Sequence, residues 1–228
     1  MKITWRTDWP HWVLLAAMFA LAAATWGSVP ARIPVHWNLV GQVDRYGGRF
    51  EGVLAMPLVA AAVYLLMLWL PRLDPGRANY ETFAGAYATF RLAVLAVLAG
   101  IYGVVQLWAH GREVSVATWA PLLVGALLVV VGSLLGKLRP NWFVGIRTPW
   151  TLSSKVSWTR THRLGGWLFI GLGVLTMAMA MLGMRWAFGT MLAALVAVAI
   201  GLVVYSYRVW RKDPEKMPPA GTLPANGA

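Results

Sequence analysis

Six apolar stretches, residues 12–26, 53–70, 92–108, 119–135, 167–182 and 186–205, contain no Asp, Glu, Lys, Arg or His. A bilayer core about 30 Å thick needs roughly 20 apolar residues in helical form, so each stretch, lengthened where needed by its flanks, is a candidate span. Residues of the AVILMFWYC set make up 59% of the chain and charged residues 12%, about half the charged share of a soluble domain. The expected fold is all-α: a polytopic membrane protein built as a bundle of six transmembrane helices. With no charge inside the stretches, the spans are expected to carry no proton relay or ion path.

The tryptophans support the same parsing. Trp12 and Trp26 bracket the first stretch, Trp69 closes the second, Trp108 and Trp119 flank the third loop, and Trp186 and Trp210 flank the last helix. An amphipathic ring favours the headgroup level, whereas a soluble core would scatter these residues. The net charge of +12 matters less than its sidedness. Lys2, Arg6, Arg72, Arg77, Arg91, Lys137, Arg139, Arg147, Lys155, Arg160, Arg163, Arg208, Arg211, Lys212 and Lys216 fall on one side of the six-span layout, against Arg32, Arg45, Arg49, Arg112 and Arg185 on the other. The positive-inside rule therefore places both termini in the cytoplasm. Lys2 and Arg6 before a short apolar run ending in Ala22-Ala-Ala24 also outline a cleavable signal, but the residues after that run read as a connected loop, so an uncleaved first span is preferred. With no Cys in the chain, disulfides and thiolate chemistry are excluded.

Between the spans, residues 29–49 form the largest outer loop, rich in Pro and Gly and suited to defined turns. The connector Arg72-Leu-Asp-Pro-Gly-Arg-Ala-Asn79 contains a turn and leads to a helix starting near Tyr80. The loop around His110-Gly-Arg-Glu113 is too small to form a site alone. Ser153 or Ser154 suits the N-cap of a helix running into the fifth span. At 100° per residue Ser154, Trp158, His162 and Gly165 share a face, with Arg160 and Arg163 nearly opposite. Gly132-Ser-Leu-Leu-Gly136 is a small-xxx-small pattern that favours close packing of the fourth helix, and the tail from Asp213 is expected to be disordered. The resulting division is residues 1–60 (first span and outer loop), 61–115 (spans two and three), 116–212 (the remaining spans with the basic loop 137–163) and 213–228 (tail).

Two of these loops carry a family resemblance. The outer run Ile33-Pro-Val-His-Trp-Asn38, with Gly41 and Asp44, resembles the short N-terminal domain of unknown function common in the SdpI family of bacterial membrane proteins. Pro140-Asn141, Gly145-Ile-Arg-Thr-Pro-Trp-Thr-Leu-Ser153, Trp158 and Thr161-His-Arg163 resemble that family's signature loop. The chain departs from the pattern at Lys155-Val156, where relatives often carry an acid in the first helical turn, the place a helix dipole favours it. The resemblance implies a bacterial inner-membrane protein of immunity to a secreted antimicrobial peptide toxin. It also implies signal transduction, in which a small transcriptional repressor is held at the membrane.

On the outer side, His36, Trp37, Asn38, Gly41 and Asp44 are the candidate binding residues. His36, Asp44 and Glu51 match no established metal spacing, so a structural loop is preferred to a metal site, with a peptide-contact surface between the two. On the inner side the candidates are Asn141, Gly145, Arg147, Thr148, Trp150, Ser153, Trp158, His162 and Arg163. Arg147 could clamp a phosphate or carboxylate beside the helix start, or merely anchor the loop to lipid phosphate or a helix carbonyl; the sequence leaves both open. His162 titrates in the range of a pH switch, though a satisfied interfacial histidine is the commoner role. The loop from Arg139 to Arg163 contains no acid, so its cations must find partners elsewhere.

No Ser-His-acid set, paired carboxylates or phosphate-binding glycine loop is present, so no enzyme, cofactor or metal is expected. The expected partners are membrane lipids, a peptide toxin outside and a small repressor inside, with no direct contact to nucleic acid. The two inner-loop helices, spans four and five, would link the sides if their packing had two arrangements. The rival reading is a small transporter or anion-binding protein for lipid headgroups, which a polar cavity reaching from the inner loop to the midplane would favour.

Overall fold

The computed structural model describes residues 5–218. Its helices are α1 (Trp5–Thr25), α2 (Met56–Leu73), α3 (Ala84–Ala109), α4 (Val116–Leu135), the single turn α5 (Pro149–Leu152), α6 (Lys155–Met181) and α7 (Ala187–Arg211). A wide π-type turn (Phe50–Ala55) leads into α2, and a 3-10 segment (Arg77–Phe83) leads into α3. Five continuous helical segments are long and apolar enough to cross a bilayer: Phe50–Leu73, Arg77–Ala109, Val116–Leu135, Lys155–Met181 and Ala187–Arg211. The chain is a mainly helical, multi-pass membrane protein. The exception among the expected spans is α1, whose opening turns bring Asp8, Pro10 and His11 into an otherwise apolar helix.

The loop between α1 and α2 adds an element the all-α expectation lacked. Strands β1 (Ile33–Trp37) and β2 (Val43–Gly47) pair antiparallel, Ile33 opposite Gly47 and Trp37 opposite Val43, with irregular register between. The connection closes on Asn38, whose Oδ1 accepts hydrogen bonds from the amides of Val40 (3.1 Å) and Gln42 (3.0 Å). Gly41 sits at φ +81°, the left-handed region that glycine reaches without penalty. Alternating β-branched and aromatic residues close to Pro and Gly carry that hairpin signal.

The helices assemble as two groups, α1–α2–α3 and α4–α6–α7, joined where α3 packs on α4. The closest contact runs between α4 and α6 along a glycine seam. A Cβ added to Gly132 would meet the carbonyl oxygen of Gly166 at 2.6 Å, and one added to Gly173 would meet that of Gly125 at 2.5 Å. Small residues let membrane helices approach to backbone contact, where packing rather than the hydrophobic effect drives association. Gly132 thus has the packing role its spacing suggested, but Gly136 does not: nothing lies within 4 Å of its would-be Cβ. The partners are the pair Gly125/Gly132 on α4 and the pair Gly166/Gly173 on α6, two turns apart on each helix.

Large apolar side chains such as Leu65, Leu66, Trp69, Trp167, Leu175, Val196 and Ile200 point outward. In a soluble fold so large an exposed apolar surface would aggregate; here it is the face offered to lipid.

Candidate functional site

The segment between α4 and α6 folds as a polar knot at one end of the bundle, opposite the hairpin. Asn141, almost fully buried, organises its first turn. Its Oδ1 accepts from the amides of Phe143 (3.0 Å) and Val144 (2.7 Å), and its Nδ2 donates to the carbonyls of Arg139 (2.9 Å) and Val144 (3.0 Å). The Tyr80 hydroxyl adds a longer bond to the same Oδ1 (3.4 Å), so the amide's capacity is filled. Gly145 follows at φ +109°, and a Cβ there would clash with His162 Nε2. Only glycine permits both the backbone conformation and the approach.

His162 is spent on structure. Its Nδ1 donates to the carbonyl of Trp158 (2.8 Å), its Nε2 accepts from the amide of Ile146 (3.0 Å), and its ring stacks on Trp158 with centroids 4.0 Å apart. The Trp158 indole in turn donates to Leu138 (3.0 Å). Ring and indole thereby bolt the loop to the first turns of α6 and the end of α4.

Thr148 has extended backbone (φ −118°, ψ 160°), as a residue before proline prefers, and caps α5 in a reciprocal box with Thr151. Its hydroxyl also lies 3.0 Å from Ser206 Oγ on α7. Ser153 donates to the Pro149 carbonyl (2.6 Å), and Trp150 rests against Tyr207. Ser154 is the N-cap of α6, accepting from the Ser157 amide (2.9 Å). Along α6 Trp158, His162 and Gly165 are buried while Arg160 and Arg163 are exposed.

The Arg147 guanidinium is exposed and donates to the Trp142 carbonyl at 2.6 Å, a bond within its own loop. The exposed side of the knot carries Lys137, Arg139, Arg147, Lys155, Arg160 and Arg163. Among the described residues none of these six forms an ion pair.

At the other end of the bundle the outer candidates stand farther apart in role. His36 Nδ1 lies 2.5 Å from Asp44 Oδ1 across the hairpin, both side chains being largely exposed. Glu51 is engaged by Arg45 instead, so the three residues weighed as a metal set do not converge. No cluster of three His, Cys, Asp or Glu side chains with metal-binding geometry occurs among the described residues. Trp37 packs edge-on to Trp108 (5.9 Å) against a small apolar core of Ala22, Val29, Ile33, Val53, Val105 and Ala109. Gly41 presses the hairpin tip onto Ala117 at the start of α4.

Both loops carry a recognisable match to known sequences. Residues 137–206 match the SdpI/YfhL protein family. Residues 13–61 match a domain of unknown function, DUF1648, so the resemblance read from the two loops holds. Over 206 residues the chain is 19% identical to the immunity protein SdpI of Bacillus subtilis (strain 168), covering 88% of this chain and 94% of that protein. No solved structure matches.

The SdpI/YfhL segment does not close on itself, and the residues that complete it carry no signal in the sequence. Asp74, at the end of α2, is 2% exposed and accepts from the amides of Gly76 (2.6 Å) and Trp142 (3.0 Å) and from the Tyr80 hydroxyl (2.9 Å). Asn79 adds a bond to the Pro140 carbonyl (2.7 Å). From the far side, Ser157 donates to the Ser206 carbonyl (2.9 Å) and Ser154 to Asp213 Oδ2 (2.5 Å). Asp213 supplies, from beyond α7, the negative charge that the first turn of α6 lacks at Lys155-Val156. The bond from Ser154 is the main cause holding its carboxyl below the ordinary carboxylate range.

Asp213 also corrects the expectation of a disordered tail. The Met217 amide donates to the Ser153 carbonyl (3.1 Å) and the Trp210 indole to the Met217 carbonyl (3.2 Å), which folds residues 213–217 onto the knot. The tail from 219 onward lies outside the described residues.

A second correction concerns charge inside the bundle. Arg91, counted on sequence grounds among the surface cations, is 1% exposed within α3 and pairs with Asp8 on α1 (2.7 Å). His11, also buried, approaches Asp8 at 3.8 Å, and Tyr64 of α2 points its hydroxyl at the same carboxylate (3.4 Å). Arg91 lies 5.7 Å from the ring centroids of both Tyr64 and Tyr87. The first apolar stretch begins just after His11 and the third just after Arg91, so hydropathy alone leaves out a pair that only helix packing joins. It lies outside both matched segments.

Proposed function

We propose that this chain is an inner-membrane immunity protein that protects its host against a membrane-active peptide, with the hairpin outside and the knot in the cytoplasm. In this reading α1 is the sixth crossing, its polar first turns neutralised by the Asp8–Arg91 pair, and both termini are cytoplasmic. The reading is supported by the similarity to an immunity protein across most of the chain. The single observation that carries its mechanism is the knot itself: a rigid, hydrogen-bonded platform presenting six exposed cations without ion-pair partners. Such a surface suits an acidic patch on a small cytosolic protein such as a repressor, with each Lys or Arg near an anionic leaflet contributing about 1 kcal/mol to docking at the membrane. The hairpin, with exposed His36, Asn38 and Asp44, is the surface facing the peptide.

The cavity beside the knot disfavours the transporter reading. It holds about 180 Å³ and is lined by apolar side chains, among them Phe90, Val131, Leu135, Val144, Ile146 and Phe169. It offers an ion or headgroup no polar route inward.

The test exploits the absence of native cysteine. Single-cysteine variants Arg147→Cys and His36→Cys, probed in intact cells with a membrane-impermeant thiol reagent, should label only at position 36; labelling at 147 from outside overturns the orientation. Expression in a peptide-sensitive strain should raise survival under a panel of membrane-active peptides. Failure against the whole panel, with normal membrane insertion, removes the immunity reading.

A further inference from the structure

An open groove lies at the hairpin end of the bundle, between α1, α3 and α4. It holds about 620 Å³ and is walled by Leu21, Gly103, Val104, Leu107 and Leu123, with Trp119 and Arg112 at its rim. On the sequence alone the short loop containing Arg112 was too small for a site; packing adds walls from α1 and α4. Its chemistry is graded from an apolar interior to a cationic mouth.

We infer that this groove holds one phospholipid of the leaflet at the hairpin end, an acyl chain lying along α3 and the phosphate on Arg112.

Three observations select this occupant. The first is depth: the α3 residues lining the groove run from Gly100 to His110, which at 1.5 Å per residue is about 15 Å. That is half of a hydrocarbon core about 30 Å thick, the reach of one leaflet's acyl chain. The second is the wall: Leu21, Gly103, Val104, Leu107 and Leu123 give the groove a mainly apolar lining suited to an acyl chain.

The third is charge. The Arg112 side chain is exposed and has neither an ion pair nor a hydrogen bond among the described residues, and the indole nitrogen of the exposed Trp119 has no acceptor among them either. A guanidinium and an indole N–H at the headgroup level are donors suited to a phosphate and the ester oxygens beneath it.

This site is independent of the immunity reading and would exist whichever partners the loops meet. Nothing lies within 4 Å of a Cβ built on Gly103, so a side chain placed there has room to enter the groove. Gly103→Phe should fill the groove from its wall.

The full chain, purified in mild detergent and titrated with phosphatidylglycerol, is read by native mass spectrometry for bound lipid. The wild type should retain one phosphatidylglycerol per chain. Gly103→Phe should lose it, and Arg112→Gln should weaken it about five-fold, the equivalent of about 1 kcal/mol. Arg185→Gln, a cation at the same end on a different loop, should leave binding unchanged, and inorganic phosphate should not compete. Arg112→Gln alters an exposed side chain, so it remains informative even if Gly103→Phe destabilises the bundle. Equal retention by wild type and Arg112→Gln, equal loss in Arg185→Gln, or full competition by inorganic phosphate would each overturn the lipid site. So would a wild type that retains no lipid while Gly103→Phe abolishes binding of a membrane-active peptide.

Discussion

The knot and the hairpin sit at opposite ends of one bundle and are built on opposite principles. In the knot almost every buried polar group has a partner from another element: Asp74 and Tyr80 from the second connector, Ser206 from α7, Asp213 from beyond it. The hairpin has an irregular ladder, exposed polar side chains and two apolar anchors on one strand, Ile33 and Trp37. A fully satisfied polar network specifies a single arrangement, whereas a surface held by few contacts can adjust to what it meets. The difference suits a fixed platform on one face of the membrane and an adaptable contact on the other.

The comparison predicts that equivalent insults cost more at the knot end. The largest effect is expected from Asp8→Ala, which strands Arg91 in the bundle; breaking one side of a buried pair costs about 3–5 kcal/mol. Thermal unfolding in detergent should show that loss, and the double variant with Arg91→Met should recover most of it. Recovery would mean the pair is structural, while persistent loss of peptide protection in a refolded double variant would assign it a functional part.

Next in size is a matched pair of alanine substitutions at left-handed glycines. Gly145→Ala places a methyl against His162 inside the knot and should cost roughly 3 kcal/mol through strain and overpacking. Gly41→Ala meets Ala117 at the hairpin tip, but the tip can lift, so about 1 kcal/mol is expected. Equal losses would erase the distinction between the two ends. Smaller still is His36→Ala: its pair with Asp44 is largely exposed, and such pairs contribute about 0–1 kcal/mol, so stability should barely move even if peptide protection falls.

The smallest expected effect is a pH dependence confined to the knot. Because the Asp213 carboxyl is held below its usual range by Ser154, the folded state favours its ionised form. That contribution is full above the ordinary carboxylate pKa of about 3.9 and is lost as pH falls through the lower folded value. The protection of the Met217 amide, taken relative to its intrinsic exchange rate at each pH, should therefore fall in acid while that of the hairpin amides of Val40 and Gln42, held by the amide side chain of Asn38, changes less.

How far each region was legible depends on the range of its interactions. The α6 face with Trp158 and His162 inward and Arg160 and Arg163 outward, the Ser154 cap and the extended Thr148 are local consequences of periodicity and of proline, and the sequence displays them. Asn141 and Gly145 could be singled out as unusual residues, but not the bonds of the one or the histidine beside the other. Asp74 and Asp213 gave no signal, since each looked like a turn residue in a polar connector. The tail from Asp213 read as disordered because composition does not reveal that Met217 will find the Ser153 carbonyl. Gly136 looked equivalent to Gly132 until the direction in which α6 crosses α4 was known.

By itself the sequence determined the membrane class, five helices long and apolar enough to cross a bilayer, and the two loops that carry the family resemblance. Those properties depend on hydrophobicity and short-range geometry, which are written residue by residue. Only the tertiary structure decided which polar groups are spent on one another and which remain to meet a partner: Arg91 vanished into an ion pair with Asp8, His162 into backbone bonds, and Glu51 into Arg45. Among the described residues, Arg112 and the six knot cations were left without an ion pair. Pairing across the bundle joins residues tens of positions apart, and a buried charge or an unpaired donor is defined by its neighbours in space.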